Sequence, residues 1–236
     1  MDTLVKNKLI KHLVKYKNSL CDYDAKIINC PCVMIQDAID NFNGCSFKKN
    51  LKLKELLSGY LNGSFDNREL NFWIIRIWGG IGRFKESEDN QLKIKSFGND
   101  LLNNKNVTIS TIASLSKVAS FVNPQKYFIY DSRALFSLNW LLFVSDSCEY
   151  FFKPSGRNKN LGKYDLASII NEETGIAIPR SISIETYLNY CYLINELYDE
   201  VFKEDKNNRQ PYKMEMLLFQ IAPNEIVKEI EAYLGK

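Results

Sequence analysis

Apolar residues return at intervals of three and four along nearly the whole chain, and this spacing is the strongest constraint on its fold. Leu4, Ile10, Leu13 and Val14 mark one such face, and Leu51, Leu53, Leu56, Leu57 and Tyr60 mark another. Residues three and four apart share one side of an α-helix, whereas a half-buried strand needs alternation at two. Sustained alternation is hard to find. The pattern predicts an all-α protein, a compact multi-helix bundle. It forms either a single helical domain over residues 1–236 or two helical lobes, approximately 1–105 and 106–236, sharing one cleft. Helices are expected near Thr3 to Asn18, Cys32 to Phe42, Leu51 to Leu61, Arg68 to Trp78, Asn90 to Leu102, Ile109 to Val122, Ser132 to Val144, Leu161 to Asn171, Ile184 to Phe202, Tyr212 to Ile221 and Asn224 to Leu234.

Glycine and proline mark the stops. Gly79-Gly80-Ile81-Gly82 ends the segment that runs through Trp78, Asn123-Pro124 ends a later helix, and Pro211 and Pro223 begin or separate the last two. Lys153 to Lys163, with Pro154, Gly156 and two asparagines, reads as a flexible surface loop.

Several function classes fall away early. No stretch approaches the roughly 18 unbroken apolar residues of a membrane span, and Met1-Asp2-Thr3-Leu4-Val5-Lys6 has no apolar signal core. A folded protein of the cytoplasm is expected, without a membrane partner. Of the six cysteines, Cys30 and Cys32 have one residue between them and no second pair at zinc spacing. They read as free thiols, with neither a zinc site nor an iron–sulfur cluster. The single histidine, His12, leaves no room for a His-based triad. Gly79-Gly80-Ile81-Gly82-Arg83 lacks the Lys-Ser/Thr pair of a nucleotide-phosphate loop. It is either a helix cap beside a core tryptophan or a nucleotide-stacking edge formed by Trp78 and Arg83. An Asp followed by Glu-x-Lys on adjoining strands, the context a restriction-type metal nuclease needs, is not evident.

The net charge is +3, too small to establish a nucleic-acid partner, but it is unevenly spread. Lysines cluster early, from Lys6 to Lys17 and again at Lys48, Lys49, Lys52 and Lys54, while glutamates crowd the last fifty residues. Either a basic face exists without a basic total, or each run is a solvated helix face.

The most informative stretch is Ile129-Tyr130-Asp131-Ser132-Arg133, which follows Phe121-Val122-Asn123-Pro124 and opens an apolar run from Ala134 to Val144. Asp before Ser at a helix start is a preferred N-cap, and the helix N–H groups complement its charge. Taken with the residues before it, the stretch from Ile109 to Asn139 resembles the helix-hairpin-helix (HhH-GPD) DNA glycosylase superfamily. In that superfamily a Gly-apolar-Gly hairpin leads into a helix, a short loop follows, and a catalytic Asp begins the next helix. Here Ile109-Ser110-Thr111 fall at the hairpin, Ser116 to Pro124 supply the helix and its stop, and Asp131-Ser132-Arg133 fall on the catalytic Asp and the two residues after it.

The resemblance implies that Asp131 stands near C1′ of a flipped nucleotide and stabilises an oxocarbenium-like sugar while water replaces the base. It implies a duplex DNA partner and no cofactor or metal. Trp78, Tyr130 and Trp140 are candidates for the base pocket, with core packing as their ordinary role. Arg133 is expected at a phosphate, as are Lys117 and Arg83. Two departures narrow the expectation. Hairpin glycines are absent, so Thr108, Ser110 and Thr111 would have to bind phosphate through hydroxyls and helix-start N–H groups, or else simply cap the helix. Where bifunctional members carry a Schiff-base lysine, this chain has Ala113, which predicts a monofunctional DNA N-glycosylase. The alternatives are a non-catalytic helical DNA-binding or interaction protein on the same scaffold, and a purely structural partner protein using the 187–198 and 214–219 segments as an interface.

Overall fold

A computed structural model describes residues 1–105, 107–205 and 208–235. Among these residues the regular secondary structure is helical, and the one β feature is an isolated antiparallel bridge between Thr108 and Ser183. The α-helices are α1 (Thr3–Tyr16), α2 (Val33–Asp40), α3 (Ser46–Leu61), α4 (Arg68–Trp73), α5 (Glu88–Leu102), α6 (Ile112–Val122), α7 (Ser132–Phe143), α8 (Leu166–Thr174), α9 (Ile184–Val201), α10 (Tyr212–Ile221) and α11 (Val227–Tyr233). The all-α expectation from apolar spacing holds. No helix among the described residues is long and apolar enough to cross a membrane.

Local chemistry sets most of the boundaries. Asp2, Asn67, Ser87, Asp165 and Ser183 each accept a backbone N–H from the first turn of α1, α4, α5, α8 and α9, worth about 1 kcal/mol apiece over alanine. Asn62 and Gly175 adopt left-handed conformations, φ 46° and 72°, that close α3 and α8.

Other boundaries depart from the sequence pattern for tertiary reasons. Helix α3 starts at Ser46 rather than near Leu51, because the Ser46 hydroxyl and the Asn50 amide both donate to the Ala25 carbonyl and dock an extra polar turn. Helix α6 starts at Ile112 rather than Ile109. The Ile109 N–H donates to Ile182 O and the Ile184 N–H to Val107 O, which draws the preceding residues into the bridge instead. The expected helix from Leu161 divides into a short 3-10 turn and α8. Pro223 does not separate the last two helices with a loop; α10 passes through a π-helical turn, Ala222–Ile226, into α11. Proline cannot donate to the carbonyl four residues back, and the wider turn carries the helix past it. The segment after α4 is π-helical as well, Ile74–Trp78, closed by Gly79 N–H on Ile74 O at 2.8 Å.

Helices α6 and α7 form the centre. Every residue of α6 except Ala113 is buried, as is Ala134 to Leu142 of α7. Around them, α3 and α5 pack on α6, α10 lies against α7 and α9, and α1 lies against α7 and α9. Tyr187, Tyr190, Met214, Met216, Leu217 and Leu218 are all buried, so these residues of the 187–198 and 214–219 segments serve the core.

One polar cluster ties the outside of the bundle to this centre. Glu229 accepts the Trp140 indole N–H at 2.9 Å, the Lys15 ammonium at 3.1 Å and the Tyr16 hydroxyl. Burial pushes the Glu229 carboxyl up, but the three donors outweigh it and hold it below the usual glutamate value. A lowered folded value means that the group stabilises the fold above its unfolded pKa and loses that contribution as pH falls through the folded one. Acid titration of stability should therefore show a smaller loss below about pH 5 for Glu229→Gln than for the wild type. Denaturant midpoints that fall equally in both would refute this role.

Candidate active-site cleft

Asp131 stands at the junction the sequence pointed to, in extended conformation at the N-cap of α7. Its Oδ1 accepts the N–H groups of Arg133 at 2.9 Å and Ala134 at 3.0 Å, so one oxygen is committed to capping. The other, Oδ2, stands 3.7 Å from the Lys117 ammonium. Both side chains line an open cleft of about 660 Å³, and both are largely buried in its wall. Capping and exposure to a ligand are thus compatible in this carboxylate, because the two oxygens do different work.

The Lys117 stem runs closely past the glycine segment. A Cβ on Gly79 would come within 2.5 Å of Lys117 Cδ and closer than van der Waals contact to the Ile74 and Ile75 carbonyls. Gly79 is therefore required by a close approach, which the capping reading of this segment did not foresee. Trp78, Gly79, Gly80 and Arg83 line the same cleft. The Trp78 indole donates to Asn50 Oδ1 at 2.9 Å and meets Phe121 edge-on at 4.8 Å, which fixes the ring while leaving it half-buried.

The other expected residues divide. Arg133 reaches the cleft with its guanidinium 4.5 Å from the Phe219 ring centroid. Ser110 and Thr111 line the cleft too. Thr111 precedes α6 without capping it, and its buried hydroxyl has no hydrogen-bond partner, so the capping alternative does not account for it. Thr108 does not join them; it is exposed and engaged in the bridge to Ser183. Residues 107–111 contain no positive φ, which explains how the chain tolerates the missing glycines.

Tyr130 and Trp140, expected in a base pocket, lie in the core outside the cleft. Tyr130 is fully buried against Tyr187 and Tyr190, with ring centroids 6.2 and 4.9 Å away. Its hydroxyl donates to Phe152 O at 2.6 Å, so it acts one step back, by fixing a residue that does line the cleft. Trp140 packs on Phe143 and Tyr233 and points its N–H at Glu229. The aromatic residues that line the cleft besides Trp78 are Tyr23, Phe152 and Phe219.

Sequence reasoning also missed the 152–158 wall and the charges beneath it. The expected surface loop folds over the start of α7. Pro154 is buried, and Gly156 sits so close to Ser132 that a Cβ would overlap its hydroxyl. Arg157 joins Arg83 and Arg133 along the lining. Below, Glu215 lines the cleft yet is only 2% exposed, and it pairs at 2.6 Å with Lys54, 1% exposed. Burial pushes the Glu215 carboxyl up and the Lys54 amine down, each countered by the partner's charge. Lys54 belongs to none of the solvated or basic faces read from the early lysines. A signal existed for both residues. Lys54 falls three residues after Leu51 and three before Leu57 on the buried face, and Glu215 is a lone acid within Met214-Glu215-Met216-Leu217-Leu218.

Among the described residues, no group of three or more His, Cys, Asp or Glu side chains is placed to hold a metal ion. The six cysteines stand unpaired. Comparison with protein-family models, with curated proteins and with solved structures gives no match.

Proposed function

We propose that the chain is a cytoplasmic, monofunctional DNA N-glycosylase-like hydrolase, in which Asp131 assists release of a flipped base. The observation that carries the reading is the division of labour in the Asp131 carboxylate, one oxygen capping α7 and the other facing a cleft rimmed by three arginines. Arg83, Arg133 and Arg157 suit the phosphates on either side of an extruded nucleotide. Ser110 and the start of α6 offer further donors for a phosphate oxygen. Trp78, Tyr23, Phe152 and Phe219 supply flat apolar surface for a base that has left the stack.

The chemistry needs little else. As the N-glycosidic bond lengthens, positive charge grows on the sugar, and a fixed, largely buried carboxylate stabilises it. The nucleobase leaves with the C1′–N bonding electrons, water adds at C1′, and the proton that the water loses ends on the departing base, giving a free base and an abasic sugar. No cofactor takes part.

The test uses duplexes carrying varied damaged or modified bases, followed by alkali to cleave abasic sites. Strand breaks after treatment with the protein support the reading. Salt-dependent binding without base release from any substrate would favour a non-catalytic DNA-binding protein on this scaffold.

One observation bears on a second outcome for the sugar. Ala113 lines the cleft and offers only a methyl group, but Lys117 is close by and paired with Asp131. An amine held in an ion pair is a poor nucleophile, because its lone pair carries a proton. A duplex with a preformed abasic site, treated with the protein and borohydride, is therefore expected to yield no covalent adduct. An adduct that disappears in Lys117→Met would replace the monofunctional reading with a lyase one.

A further inference from the structure

Lys54 and Glu215 take no part in that chemistry, and their burial needs a reason. An apolar pair of the same volume serves a core as well as a buried ion pair or better, so packing alone does not account for them. The pair's other bonds are more specific. Glu215 Oε1 meets Lys54 Nζ at 2.6 Å, and its Oε2 accepts the Ile129 N–H. Lys54 also donates to Ser120 Oγ at 3.2 Å, and Ser120 Oγ donates to the Lys117 carbonyl at 2.8 Å. One ion pair thus grips both the segment that presents Asp131 and the turn of α6 that carries Lys117.

The rest of that segment is held in the same manner. Ser116 Oγ accepts the Tyr130 N–H at 3.0 Å. Tyr187 and Tyr190, both on α9, donate to the carbonyls of Phe128 at 2.9 Å and Ile129 at 2.8 Å. Side chains from α6, α9 and α10 therefore satisfy consecutive backbone groups just ahead of Asp131. An extended segment without neighbouring strands has no ladder to hold it, and these side chains replace one.

We propose that the Lys54–Glu215 pair is a positioning device that fixes where Asp131 and Lys117 stand in the cleft, with Glu215 the positioning residue for Asp131. Its effect on geometry stands on the contacts alone, and only its effect on turnover rests on the glycosylase-like reading. Glu215 accepts on both oxygens at once, which no apolar residue can do. Lys54 keeps that acceptor in place while Ser120 relays the restraint to α6.

The decisive comparison is Lys54→Met/Glu215→Leu, which removes both charges and keeps the volume, against Glu215→Gln, which keeps an acceptor for Ile129. Amide exchange at Ile129 should accelerate roughly tenfold in the double variant while the amides of α9 stay protected. Single-turnover base release should fall about 10- to 100-fold with duplex affinity unchanged, and Glu215→Gln should recover part of both. Wild-type exchange at Ile129 in the double variant would overturn the proposal, as would turnover and affinity falling together. If Ile129 exchange accelerates but the wild type itself releases no base, the positioning role stands and the glycosylase reading is the one that fails.

Discussion

Lys54→Met should lower the free energy of unfolding by about 3–5 kcal/mol at neutral pH, the usual cost of stranding one member of a buried ion pair. The wild-type partners are 2.6 Å apart and almost wholly shielded from solvent. Without the ammonium, Glu215 keeps only the Ile129 N–H, and its carboxyl, already pushed up by burial, loses the charge that opposes that push. A carboxyl with a raised folded pKa is penalised increasingly as pH rises above its unfolded value and fully above its folded one, and the penalty vanishes in acid, where both folded and unfolded states are protonated. The deficit should therefore shrink as pH falls toward about 4, the ordinary unfolded glutamate range. Lys54→Met/Glu215→Leu should recover most of the loss, since two apolar groups leave no unpaired charge. Urea denaturation of the three proteins across pH checks all of this. A single variant no less stable than the double would show that the charges are not coupled as the geometry requires.

Asp131→Asn should reduce base release by roughly 10²- to 10³-fold, in line with removal of a preorganised electrostatic contact to a developing charge. The fold should tolerate it. Asparagine is as good an N-cap as aspartate, and its carbonyl oxygen can keep both bonds that Oδ1 makes to Arg133 and Ala134 N–H. Lys117 loses its counter-ion but faces an open cleft where water can take its place. Duplex affinity and thermal midpoint near wild type, with little strand cleavage after alkali, would assign the loss to chemistry. Asp131→Ala is the contrasting case, because it removes the cap as well and should cost about 1 kcal/mol of stability. Base release that persists in Asp131→Asn would remove Asp131 from the reaction.

The helical architecture and the position of Asp131 were both legible in the sequence. Apolar spacing of three and four reports which side of a helix is buried, and an Asp-Ser pair after Asn-Pro reports a helix start; each is a property of neighbours along the chain. The aromatic residues were not legible in the same way. Tyr130 and Trp78 have similar sequence surroundings, yet one is sealed against Tyr187 and Tyr190 and the other lines the cleft. Each is an aromatic residue preceded by isoleucine, and only the partner across the packing surface distinguishes them.

Charge was read least well. Lys48, Lys49, Lys52 and Lys54 look alike in a row, but only Lys54 meets a carboxylate 161 residues away. The sequence by itself determined which segments are helical, where several of them are capped, and that a carboxylate opens α7. Tertiary structure alone decided that Asp131 pairs with Lys117 in the wall of a cleft, that Gly79 makes room for the lysine stem, and that a distant ion pair holds the Asp131 segment in place. Helix formation and capping depend on groups within about one turn of each other, whereas these three arrangements depend on contacts between remote helices that exist only once the core has closed.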